Sequence, residues 1–251
     1  MYAKYIIFFI ILYLIIQFQQ NEVIENFPDN KMDRLYDYLP LKFYYIDNNY
    51  RNELIKLNIK VLKLLDKYKI QYWAIFGTLL GIIRHNGIIP WDDDIDIAFS
   101  NNDLHKLLKI RPELEKNNLK LIKRTDYGRL TYKIEYKHIP KTLNKKIWID
   151  LFPYYYTHDT KYWHRVKGAY TKLKHNDLFP LKKCKYFNYE ISIPNNPKQI
   201  LNEEYGADWT THAVVSIHQR VLNKHKIGRK FNRKIKIDNI KKHMLNNYSI
   251  I

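Results

Sequence analysis

A chain of 251 residues, 46% apolar and 15% aromatic, is long enough for one domain of ordinary size with a real core, plus an appendage. Its single cysteine, Cys184, excludes an intramolecular disulfide and a cysteine-type zinc site, and a buried, inert thiol is its expected state. A net charge of +18 fits attraction to a polyanion, a membrane surface or a phosphate-bearing substrate, and equally a lysine-rich surface with a basic tail.

Residues 5–18 are nearly all apolar, with Lys4 before them. That run is short for a spanning helix, which needs roughly 17–25 residues. No Ala-x-Ala-like cleavage site follows it. An uncleaved signal anchor over residues 1–20 is therefore expected, making a single-pass membrane protein facing the lumen or exterior. A cleaved signal (which would make the chain secreted) and a buried core helix are the alternatives. Residues 21–50 lack clean periodicity and read as a stem.

From residue 51 to 69 the pattern is helical, with Leu54, Leu57, Val61, Leu64, Leu65 and Tyr68 on one face and Lys56, Lys60, Lys63 and Lys67 on the other. Residues 71–76, QYWAIF, read as a buried strand ending at Gly77-Thr78, and a short helix follows over 79–84. A Gly-Thr pair at a strand-to-helix turn offers backbone N–H groups and a hydroxyl to an anion. Alone it is most often only a turn. Arg84 and His85 would ordinarily be a surface cation and a structural imidazole; beside a metal–phosphate site, Arg84 could pair with phosphate oxygens in bidentate fashion.

Four acids then fall within five positions: Asp92, Asp93, Asp94 and Asp96. Strand alternation puts Asp94 and Asp96 on one face, with Ile95 and Ile97 turned into a core. Paired carboxylates repel, and a hard divalent cation such as Mg²⁺ or Mn²⁺ removes that cost. The plain alternative for the Asp run is a solvated turn after Pro90.

Further along, 100–103 reads as a helix cap, with a helix from 104 towards 115 that Pro112 breaks or restarts. Strands are expected over 119–123 and 129–136, joined by a turn at 126–128. Residues 146–153 form a strand with Asp150 in its apolar centre, where a carboxylate is costly unless paired or metal-bound. A strand-end role capping the next loop is the alternative for it. Residues 154–170 are aromatic and basic, and His158, Asp159 and His164 match no zinc spacing. A hairpin-like segment over 182–193 and a short helix over 198–205, closed by Gly206, come next. Residues 211–251 are a basic tail, most basic from 220 to 243. It reads as solvated or as a contact for an anionic membrane or nucleic acid, without a nucleic-acid-binding motif.

The stretch GTLLGIIRHNGIIPWDDDIDIAF resembles the signature of the LicD family, which includes bacterial phosphocholine transferases and the fukutin-related proteins. WIDLFP at 148–153 resembles the family's later D-x-F-P strand. LFPL at 178–181 and IPNNPKQILNEEYGADW at 193–209 resemble its C-terminal block. The similarity covers about residues 55–210, and a catalytic domain over 51–210 is expected.

The resemblance implies an α/β (α+β) fold of nucleotidyltransferase type, a mixed sheet flanked by helices. It implies transfer of a phospho-substituent, phosphocholine- or phosphoalditol-like, from a CDP-linked donor to a glycan or glycoconjugate hydroxyl, releasing CMP. Asp94, Asp96 and Asp150 would be catalytic and hold Mg²⁺ or Mn²⁺, with Asp150 as ligand or as base. Gly77, Thr78, Arg84, His85 and Asp92 would bind substrate. The membrane is a partner through the N-terminal segment, and nucleic acid is not an expected one. A catalytically inactive nucleotide- or glycan-binding membrane protein and a nucleotidyltransferase acting on nucleic acid are the competing readings.

Overall fold

The first long helix, α1 (Asn48–Lys67), starts where Asp47 accepts a hydrogen bond from the Tyr50 backbone N–H at 2.8 Å. The computed structural model describes residues 46–126, 129–165, 172–217 and 231–236. All of these lie in one compact unit, Tyr44–Ile251. The expected anchor and nearly all of the stem lie outside the described residues, as do Tyr127 and Gly128 of the expected turn. Among the described residues, no helix is long and apolar enough to cross a membrane.

Along α1 the apolar positions Leu54, Leu57, Val61, Leu62 and Leu65 are fully buried, as the three- and four-residue spacing requires. Each such side chain contributes roughly 1.5–3 kcal/mol by burial. This face lies against the central strand β5 (Trp148–Thr157).

The main sheet runs in the order β1 (Tyr72–Ala74), β2 (Ile95–Ser100), β5, β4 (Arg129–Tyr136), β3 (Leu119–Asp126). The β2–β5 junction is parallel, whereas β1–β2, β5–β4 and β4–β3 are antiparallel. Two short strands, β6 (Tyr162–Arg165) and β7 (Lys172–Lys174), extend the sheet from the far half of β5. The chain is thus a mixed sheet flanked by helices, as expected.

Several boundaries differ from the sequence reading. The strand expected over 71–76 shrinks to β1, because helix α2 (Phe76–His85) begins at Phe76. Phe76 holds φ +51°, a left-handed conformation that turns the chain sharply from strand into helix. Gly77 and Thr78 therefore sit inside the first helical turn, not in a loop before it. β2 starts at Ile95 and leaves Asp94 in the bend ahead of it.

The helix expected from 104 to 115 is two short ones, α3 (Leu104–Lys109) and α4 (Arg111–Lys116), the second opened by Pro112. β5 runs on to Thr157 and absorbs the start of the aromatic stretch. There Trp73 meets Tyr154, Trp163 and Phe179 edge-on at 5.6, 5.8 and 6.1 Å between ring centres. A one-turn helix, α5 (His175–Leu178), leads into the hairpin β8 (Lys182–Tyr186) and β9 (Tyr189–Ile193). Cys184 lies on β8 half-buried, not fully buried as expected, because its strand edge faces solvent. Helix α6 (Pro197–Tyr205) ends at Gly206, whose φ of +82° suits glycine. Within the basic C-terminal stretch, β11 (Phe231–Lys236) pairs with β10 (His212–Ile217).

Candidate active site

On β2, Ile95 and Ile97 are buried, and on β5 so are Ile149 and Leu151. The residues between them face the other way. Asp96 and Asp150 are direct cross-strand partners in the parallel register, so two carboxylates stand together on one sheet face. Lys133 on β4 is the next residue across, opposite Asp150. Just before β2, Asp92, Asp93 and Asp94 offer carboxylate oxygens that all lie within 4.8 Å of one another. The Tyr50 hydroxyl donates to the Asp93 carbonyl at 2.7 Å and fastens this acidic bend to the start of α1.

The first turn of α2 is built into the same place. Thr78 Oγ1 accepts the Asp96 backbone N–H at 2.7 Å, which ties the helix to β2. A Cβ at position 77 would stand 2.5 Å from Asp92 Oδ2 and 3.7 Å from Asp96 Oδ2, so only glycine lets the helix approach this closely. No side chain caps Ile75, which leaves the leading N–H groups of α2 available to an anion.

Crowding of like charge in a buried place shows in the proton affinities. Asp96 is held well above the ordinary carboxylate range by burial first, then by Asp94, Asp92 and Asp150. Asp92 is raised by burial first, then by Asp94 and Asp93. Asp150 is pushed up to about 6 by burial and Asp94, while the Trp148 N–H, Arg124 and Lys133 pull it back. Five carboxylates and one helix N-terminus therefore converge on one side of the sheet.

Arg84 and His85 lie at the other end of α2. Arg84 Nη1 donates to the carbonyls of Trp209 at 3.2 Å and His212 at 3.4 Å, and its Nε donates to His85 Nε2 at 2.9 Å. Burial lowers the guanidinium to about 10, while Tyr205 and Asp92 act to raise it. His85 also stands edge-on to Trp91, with ring centres 5.9 Å apart. The structure thus brings together Gly77, Thr78, Asp92, Asp94, Asp96 and Asp150. It sets Arg84 among carbonyls within electrostatic reach of Asp92.

Two neighbours of the site went unread in the sequence. Glu204 lies in the last turn of α6, and its carboxyl is pushed up to about 8 by burial, against the pull of Arg165; its charge in turn bears on Asp96. Beside it, Tyr205 is 39% exposed as a residue, yet its phenol is held above its ordinary value by local desolvation first, then by Glu204, Asp96 and Asp92. The signal was a Glu-Glu-Tyr-Gly helix end, which reads as a C-terminus and nothing more. Trp148 is the other: its Nε1–H donates to Asp150 Oδ2 at 3.0 Å. Its place two residues before Asp150 on a strand was visible but not used.

Comparison with known proteins agrees with this geometry in position. The chain is 32% identical over 177 residues to an uncharacterized protein of Rickettsia typhi, a match covering 70% of this chain and 52% of that protein. It is 45% identical over 47 residues to the lipopolysaccharide cholinephosphotransferase LicD of Haemophilus influenzae, covering 19% of this chain and 18% of that one. It is 26% identical over 151 residues to the ribitol 5-phosphate transferase FKRP of Mus musculus, covering 58% and 30% respectively. The chain therefore spans only part of the length of the proteins it resembles. Residues 69–196, just over half the chain, match the family model described as LicD/FKTN/FKRP, nucleotidyltransferase domain. That span holds α2, the acidic bend, β2 and β5, so the chain belongs to the LicD/FKTN/FKRP family through the segment that carries its carboxylate face.

Proposed function

We propose that this chain is a divalent-metal-dependent transferase. It moves a phospho-substituent, phosphocholine- or phosphoalditol-like, from a CDP-activated donor to a glycan hydroxyl and releases CMP. The observation that carries this reading is the Asp96–Asp150 pair in register, backed by the Asp92–Asp94 bend. Relatives named as transferases, one of choline phosphate and others of ribitol 5-phosphate, support this substrate class.

The residues fit a divalent cation. Asp150 Oδ1 is buried and accepts no hydrogen bond among the described residues. Asp96 and Asp150 are raised by burial first and then by the neighbouring acids, and a cation relieves both costs. These carboxylates are oxygen donors, the chemistry that Mg²⁺ or Mn²⁺ prefers, and among the described residues Asp92, Asp93 and Asp94 already bring theirs within 4.8 Å of one another. Asp94, Asp96 and Asp150 would hold it, with Asp92 beside them. When bound, the cation neutralises charge on the pyrophosphate and on the departing CMP.

The protein's own groups do the rest. Gly77 lets the first turn of α2 lie directly against Asp92 and Asp96, which sets the helix N-terminus beside the acids. Thr78 locks that terminus onto β2. Burial raises Glu204 to about 8, so it holds its proton to higher pH than an ordinary carboxyl, within electrostatic reach of Asp96. Arg84 fixes α2 to the segment after α6, which sets the distance between the two sides of the site.

The test is a panel of CDP-alcohols with Mg²⁺ or Mn²⁺, read by CMP release in the presence of a glycan acceptor. The expected result is turnover of at least one CDP-alcohol that stops with EDTA and returns with added metal. Turnover that persists in EDTA overturns the metal part of the reading. A fully active Asp96→Asn variant overturns the site.

A further inference from the structure

Among the described residues, the Asp150 carboxyl accepts a hydrogen bond on one oxygen and not on the other. Trp148, two residues earlier on β5, shares its face, and the indole Nε1–H donates to Oδ2 at 3.0 Å. The other oxygen, Oδ1, is buried without a hydrogen bond among the described residues; Arg124 Nη1 stands 3.9 Å from it, a neighbouring charge and too far for a bond.

The indole is itself clamped. Lys133, the cross-strand partner of Asp150, places its ammonium 4.0 Å from the Trp148 ring centre. The same ammonium lies 2.9 Å from Glu135 Oε2. Glu135 is 3% exposed and is also met by Lys120 at 3.1 Å and Lys146 at 3.4 Å. A carboxylate so deeply buried is stable only when paired in this way. The result is a stack running Glu135, Lys133, Trp148, Asp150 along adjacent strands. A cation over the ring draws electron density from the indole and makes its N–H a stronger donor.

We propose that Trp148 is a positioning residue: it fixes the rotation of the Asp150 carboxyl so that Oδ1 is presented to a divalent cation, and the Glu135–Lys133 pair holds the indole in that pose. This rests on the metal reading above. The plainer account is that a buried indole N–H needs an acceptor and Asp150 supplies one. In that case loss of the N–H changes stability alone. On our account it changes metal affinity, since partners that orient a metal ligand are typically worth 10–100-fold in binding.

The experiment is Mn²⁺ binding to the full chain by calorimetry, for wild type, Trp148→Phe and Trp148→His, with melting in EDTA alongside. Trp148→Phe keeps the bulk and loses the donor, and its Mn²⁺ Kd is expected to rise about 10-fold or more. Trp148→His restores a ring N–H and is expected to recover part of that loss. Wild-type Mn²⁺ affinity in Trp148→Phe overturns the proposal. If that variant does not fold, the wild-type indole N–H resonance of Trp148 decides, because it must move when Mg²⁺ is titrated in. An unmoved resonance in a chain that binds Mg²⁺ overturns the positioning role. No binding of either ion by the wild type overturns the metal reading itself.

Discussion

Asp96 and Asp150 face each other across the parallel junction of β2 and β5, and each is raised by burial and by the other acids nearby. A fold that places two carboxylates in register on neighbouring strands accepts repulsion that it could avoid by a shift of one residue. Such local conflict with stability is expected where a site is built. Asp96→Asn is therefore expected to raise the stability of the metal-free protein while it abolishes transfer. Burial and the neighbouring acids both disfavour the ionised Asp96, so the neutral amide is expected to shift the midpoint upward. Denaturant melts in EDTA check it, and a loss of stability would show that the pair is held by something other than repulsion.

The same shifts fix a pH dependence. Asp150 rises from 3.8 to about 6 on folding, so between those values the folded state binds more protons than the unfolded one. Stability from this group is greatest below its unfolded value and is lost as pH rises through about 6. The loss is at most about 3 kcal/mol for this one group. Glu204 rises from 4.5 to about 8 and extends the decline to higher pH. In EDTA the melting temperature of the wild type relative to Asp150→Asn should fall from pH 4 to 6, and relative to Glu204→Gln from pH 5 to 8. A flat difference across either window would contradict the burial of that carboxyl. Saturating Mg²⁺ should remove most of the Asp150 slope.

Gly77→Ala separates helix propensity from site geometry. Alanine favours a helix interior by up to about 1 kcal/mol over glycine. Here its Cβ would meet Asp92 Oδ2 at 2.5 Å, so the carboxylate must move. The expected outcome is a folded protein with a near-wild-type melt and at least 100-fold less turnover, read by CMP release. Wild-type turnover would show that the close approach of α2 to the acids has no part in the chemistry.

Much of this was legible in the chain. The apolar alternation of Ile95 and Ile97 around Asp96 marked the strand and its exposed face, and Asp150 in an apolar strand marked its partner. The period of Leu54, Leu57, Val61 and Leu65 marked α1. What local pattern could not show was which strand lies beside which. That β5 inserts between the earlier strand β2 and its own sequence neighbour β4 decides that Asp150 meets Asp96 on one side and Lys133 on the other. The start of α2 at Phe76 was missed because a bulky residue at positive φ carries no local signal. Glu204 was missed because its role comes from the packing of α6 against α2. Arg84 was read as a phosphate ligand; that its guanidinium also meets the carbonyls of Trp209 and His212 depends on distant segments that no local pattern shows.

Arg84→Met tests that last point. Removing the guanidinium strands two carbonyl acceptors in a partly buried setting, which costs about 1–3 kcal/mol. The expected result is a lower melting temperature with Mn²⁺ affinity within about threefold of wild type. A variant with an unchanged melt but a large rise in donor KM would instead assign Arg84 to the donor.

The insertion of β5 between β2 and β4 also has a kinetic consequence. Asp96 and its neighbours lie in one early stretch, whereas Asp150 joins them only after the β3–β4 excursion has closed and the parallel junction has formed. Parallel pairing across such a loop is a non-local contact, slow to form and late on the folding path. A cation that needs both halves can bind only after that step. It should therefore act as a latch, slowing the escape of β5 from the finished sheet while leaving the rate of folding nearly unchanged.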